Sequence, residues 1–128
     1  MRLPVQISPA EFLDKLTILE IKSERITDSS KLANVAREIE VLRTTWAVSP
    51  LATRDVTRLR EELKRVNEAL WEIEDRIRRK EAKRCFDADF VELARSVYRT
   101  NDRRAAIKRE LNLILGSDLI EEKSYAAY

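Results

Sequence analysis

Apolar residues at Val56, Leu59, Leu63, Val66, Leu70, Ile73 and Ile77 alternate spacings of three and four. That is the rhythm of a helix packed along its length against others. The pattern predicts a helix over residues about 53–84, with Thr53 as its cap; at 1.5 Å per residue it would run about 45 Å, against a radius of gyration of about 14 Å for a compact chain of this size. Such a chain is a rod or pairs with another. Upstream, Ser8-Pro9-Ala10-Glu11 reads as a capping box, with Ser8 at the N-cap, Pro9 where its missing N–H costs nothing, and Glu11 reaching back. It opens a first helix over about 9–27. Phe12, Leu16, Leu19 and Ile26 form one stripe on that helix, while Ile18 and Ile21 fall on nearly the opposite side, so the helix is expected to be sandwiched.

Asp28-Ser29-Ser30 supplies a turn and a cap, after which Leu32, Val35, Ile39, Leu42 and Trp46 define a second helix over about 30–47. Pro50 breaks it, since the residue before proline is held extended. Basic residues from Arg78 to Arg84 crowd the end of the third helix, where the dipole favours cations. Asp87 then caps a fourth helix over about 87–115, closed by Gly116 at the position that wants a left-handed residue. The link at Cys85-Phe86 is too short for anything except an antiparallel return. The fold class is therefore all-α, an antiparallel bundle of four helices built on a long hairpin of the third and fourth, in one domain spanning residues 1–128.

Composition narrows the chemistry. Lys plus Arg number 25 and Asp plus Glu 23, so no net field steers nucleic acid or an anionic membrane, and neither is expected as a partner. There is one glycine, one cysteine and no histidine, which removes phosphate-cradling glycine loops, internal disulfides, histidine triads and the usual zinc constellations. No cofactor is expected. No apolar run approaches membrane-spanning length and the first residues lack the form of a signal peptide, so the expectation is a soluble cytoplasmic protein.

One irregularity carries potential function. The stripe Phe90, Ala94, Val97, Asn101, Arg104, Lys108, Leu111, Leu115 on the fourth helix is apolar at both ends and polar in the middle. Counting back from the turn, paired positions sum to about 171, which sets Asn67 across from Arg104 and Leu70 across from Asn101. Glu74 flanks the same seam, and Glu20 and Lys15 lie beside the apolar stripe of the first helix. The expectation is a polar layer inside the bundle, favoured as a device that fixes register. The alternative is a cleft in which Asn67, Asn101, Arg104 and Lys108, with Tyr98, Glu74, Lys15 and Glu20 at its margins, bind a phosphate or carboxylate group, in a small-anion binder or an enzyme. A weaker alternative takes Glu72 with Asp75, and Glu11 with Asp14, as paired acids holding Mg²⁺ in the manner of helical nucleotide pyrophosphatases. No catalytic residue and no metal ligand is assigned, since Glu72 and Asp75 each have an arginine four residues on.

The runs Leu13-Asp14-Lys15-Leu16-Thr17-Ile18-Leu19-Glu20-Ile21-Lys22, Val66-Asn67-Glu68-Ala69-Leu70-Trp71-Glu72-Ile73-Glu74-Asp75 and Tyr98-Arg99-Thr100-Asn101-Asp102-Arg103-Arg104 resemble those of a family of short, uncharacterised bacterial proteins. The resemblance spans nearly the whole chain. It implies a bacterial cytoplasmic single-domain protein and transfers no activity and no site residue. Read together, the chain is expected to be a non-enzymatic helical interaction protein, a homodimer through its first helix that presents a surface to another protein.

Overall fold

The structure, a computed structural model, describes residues 1–128. Four helices form: α1 (Pro9–Arg25), α2 (Ser29–Ala47), α3 (Thr57–Ala82) and α4 (Ala88–Ile114), with a short 3₁₀ turn at Pro50–Thr53. The antiparallel α3–α4 hairpin makes the most extensive helix contact in the chain, so the fold is an all-α bundle built on that hairpin. α1 lies against α2, α3 and α4.

The caps show why the helices begin and stop where they do. Ser8 Oγ accepts from the Glu11 N–H at 3.1 Å, the first half of the capping box. The second half does not form, because the Glu11 carboxylate takes Lys108 instead. Asp28 caps α2 and Asp87 caps α4, each side chain accepting a backbone N–H at 2.9 Å. α3 starts four residues later than its periodicity predicts. Ser49 caps the 3₁₀ turn through the Leu51 N–H, the Thr53 hydroxyl donates back to the Pro50 carbonyl, and α3 is left with Val56 at an N-cap that has no side-chain acceptor.

Both hairpin helices end on a left-handed residue. At Gly116, φ is 69° and the Ser117 N–H reaches the Asn112 carbonyl at 2.9 Å, as the lone glycine suggests. At the hairpin turn the same conformation falls on Arg84, with φ 50° and the Cys85 N–H on the Lys80 carbonyl at 3.0 Å.

α1 is indeed sandwiched. Leu16 and Leu19 pack with Val35 and Ile39 of α2, while Ala10 and Leu13 join Val56, Leu59, Leu63, Leu111 and Leu115 in the core of the hairpin. Phe12 stacks on Trp46, ring centroids 5.7 Å apart. Ile21, on the other side of α1, is also buried. Ile18, on the same side, is half-buried. On α3, Val56, Leu59, Leu63 and Val66 are buried, but from Leu70 onward the seam is only half-buried, because α1 ends at Arg25 while the hairpin continues. On α4 the buried position in that distal part is Leu93; Ala94, expected in the stripe, is exposed. No helix is long and apolar enough to cross a membrane.

Candidate functional site: a buried ionic layer beside an open cleft

The interruption of the α4 stripe is answered from α1. Asp14 is 1% exposed, and its carboxylate is gripped by Arg104, with Nε on Oδ1 at 3.0 Å and Nη2 on Oδ2. Asn67 Nδ2 donates to the same Oδ1 at 2.9 Å and to Thr17 Oγ1 at 3.0 Å, while the Thr17 hydroxyl donates to the Asp14 carbonyl. Lys108 Nζ sits 3.8 Å from Asp14 and bonds Glu11 at 2.6 Å and Glu121 of the C-terminal tail at 3.1 Å. One turn on, Asn112 accepts the Ala10 N–H, an otherwise orphaned donor in the first turn of α1.

Burial opposes charge on Asp14, but hydrogen bonds from Arg104 and Asn67 and the charges of Arg104 and Lys108 outweigh it and hold the carboxyl below the usual carboxylate range. Burial also opposes charge on Lys108, and there Glu11, Asp14 and Glu121 push the ammonium above its ordinary value. Arg104 is raised chiefly by its hydrogen bonds to Asp14. All three stay ionised at neutral pH, and three carboxylates face two cations. No buried side-chain nitrogen or oxygen in the chain lacks a partner, so the layer is closed in the sense that makes a buried network tolerable.

Of the residues expected in the layer, Asn67, Arg104 and Lys108 are in it, and Asn101 touches its edge, Oδ1 lying 3.5 Å from Arg104 Nη1. The others are elsewhere. Lys15 is exposed; the helical turn that buries Asp14 points its neighbour outward. Glu20 faces a different stretch of α3, bonding Arg60 at 2.7 Å with Lys64 at 3.9 Å. Glu74 is exposed and pairs with Arg78 at 3.3 Å. Tyr98 lies on the outer side of α4 against Tyr128, whose hydroxyl donates to Asp102. Sequence reasoning missed Asp14 and Thr17 as layer members. The signal was present: Ala10, Asp14, Thr17 and Ile21 keep the three-and-four spacing of a buried stripe, but two of the four are polar.

The acids considered for Mg²⁺ are otherwise engaged. Glu72 pairs with Arg25 at 3.2 Å instead of with Arg76, Asp75 pairs with Arg79 at 2.7 Å, and Glu11 and Asp14 belong to the ionic layer. No three acid, cysteine or histidine side chains converge as a metal site would need. At the basic end of the hairpin, Arg76 and Lys80 pair with Asp89 and Lys80 also with Asp87.

Beside the layer, where α1 runs out, a cleft of about 550 Å³ opens. Its walls are Ile18 and Ile21 from α1 and Leu70 and Trp71 from α3; Asn67 and Arg104 lie at its floor and Glu74, Asp75 and Arg78 at its rim.

Fold and site together define a helical bundle with a buried, fully hydrogen-bonded ionic layer and an open cleft beside it. The chain belongs to DUF6165, a family of unknown function whose model matches residues 3–128. No curated protein and no solved structure matches it.

Proposed function

We propose that this is a bacterial, cytoplasmic, non-enzymatic interaction protein that works as a homodimer joined through the distal part of its hairpin. The observation that carries this reading is the burial pattern from Trp71 to Thr100. Apolar positions continue there through Ile73, Ile77, Phe90 and Val97, yet Leu93 alone is buried, and Phe86 and Val91 are more than half exposed. A second copy is the natural cover, because the charges of α3 are polarised. Glu68, Glu72, Glu74 and Asp75 lie toward the root of the arm, and Arg76, Arg78, Arg79, Lys80, Lys83 and Arg84, with Glu81 the one acid among them, toward its tip. Two such arms laid antiparallel about a two-fold axis set basic tip against acidic root twice over. The resemblance of the quoted runs supports the bacterial and cytoplasmic setting.

The ionic layer supports a structural role for Arg104 and Lys108, because an anion there would have to displace Glu11, Asp14 or Glu121. Light scattering at micromolar concentration tests the reading. The expected mass is twice the 15.0 kDa of the chain, and the double variant Phe86→Glu/Val91→Glu should reduce it to one copy with helicity unchanged. A wild-type monomer overturns the reading.

A further inference from the structure

The cleft beside the ionic layer is where the chain leaves hydrogen-bonding capacity unspent. Asn67 is 5% exposed. Its two amide hydrogens go to Asp14 Oδ1 and Thr17 Oγ1. An ionised carboxylate accepts only, so the amide must turn Nδ2 inward and Oδ1 away. That Oδ1 takes no hydrogen bond from the chain and is open to the cleft that Asn67 lines. Arg104 is committed to Asp14 through Nε and Nη2, while Nη1 has only Asn101 at 3.5 Å. Both side chains meet on Asp14 Oδ1 and both line the cleft, so its floor carries an unanswered acceptor and an under-used donor.

Charge decides what fits. Arg104 is already neutralised by Asp14, the layer holds more carboxylates than cations, and the rim adds Glu74 and Asp75 against Arg78. An anion gains little at such a floor; an uncharged group with one donor and one acceptor completes both partners. Above the floor, Trp71 offers an indole ring and Ile18, Ile21 and Leu70 an apolar enclosure, within a volume typical of small-molecule sites.

We propose that this cleft binds an uncharged, flat heterocycle carrying adjacent N–H and C=O groups, a cyclic amide of the nucleobase kind. Its N–H donates to Asn67 Oδ1, its carbonyl accepts from Arg104 Nη1, and its ring lies against Trp71. The lining of the site comes from one chain.

The test uses 2-quinolone, a fused-ring cyclic amide, titrated into the full-length protein and followed by NMR at the Asn67 side-chain amide, the Arg104 Nε–H and the Trp71 indole N–H. The expected result is a saturable shift of all three. N-Methyl-2-quinolone, which keeps the ring and carbonyl but loses the donor, should bind about tenfold more weakly or worse. Trp71→Ala, at a half-buried position, should weaken 2-quinolone about as much while keeping a dispersed spectrum. Equal binding of the two quinolones overturns the proposal by showing a merely apolar cleft. Competition by benzoate at lower concentration than 2-quinolone overturns it in favour of an anion site. Unmoved Asn67 and Trp71 signals at millimolar ligand overturn it outright.

Discussion

Asp14 and Arg104, 90 residues apart in the chain, form a two-pronged ion pair that fastens α1 to the hairpin. Breaking one side strands the other, and a stranded buried charge costs far more than the intact pair contributes. Arg104→Met should therefore destabilise the protein by about 3 kcal/mol in denaturant melts. The double variant Asp14→Leu/Arg104→Met, which leaves Lys108 with Glu11 and Glu121, should recover most of that loss. Additive losses in the double variant would show that the two side chains act independently.

Acid should undo the same contact. The Asp14 carboxyl is held below its ordinary value of 3.8 in the folded chain. Its contribution is therefore complete above about pH 4 and is lost as pH falls through the folded value, because the unfolded chain takes up the proton first. Melting temperatures between pH 5 and pH 2.5 should fall less steeply for Asp14→Asn than for wild type. A residual slope should persist from Asp87, which Lys80 and the Phe90 N–H hold at about 2.

Along the α3 seam, Leu63→Ala should cost about 2–5 kcal/mol, since Leu63 is 0% exposed in the core shared by α1, α3 and α4. Leu70→Ala should cost less, about 1–2 kcal/mol, because Leu70 lines the open cleft and its removal leaves no sealed void. Glu72→Ala should change stability by under about 1 kcal/mol, its partner Arg25 being an exposed pairing. Equilibrium unfolding of the three variants in parallel checks the order.

The hairpin turn offers a stabilising change. Arg84 holds φ at 50°, a conformation that costs an L residue about 1 kcal/mol and glycine almost nothing. Arg84→Gly should raise unfolding free energy by about 0.5–1 kcal/mol, read as a higher denaturant midpoint at unchanged slope. A lower midpoint would mean that the arginine side chain contributes more than its backbone strains.

Much of this molecule could be read before it was seen. The three-and-four rhythm on α3, Ser8, Asp28 and Asp87 as caps and Gly116 as a stop are local signals, and local physics decides helix existence. Two kinds of feature escaped. Thr53 looked like a cap because its hydroxyl can serve as one, but Ser49 captured the preceding turn first. The candidate site was half legible. Polar residues interrupting the apolar stripe of α4 announced that something charged lay opposite, and Asn67 was correctly set near Arg104 by counting from the turn. Its counterpart Asp14 was hidden, since a search for apolar stripes passes over the polar members of a buried face, even where Ala10 and Ile21 share their spacing.

The fastening of α1 has a consequence for the order of synthesis. Its partners Arg104, Lys108 and Asn112 leave the ribosome long after α1 itself, the longest of these links, Asn112 to Ala10, spanning 102 residues. At a usual translation rate that is a delay of roughly 5–20 s. During it, Leu16 and Leu19 gain the cover of α2, whereas Leu13 and the carboxylate of Asp14 wait for a groove that does not yet exist. A nascent chain arrested before Arg104 should therefore expose α1 to proteases and to chaperones, and release past Asn112 should close that window in a single step.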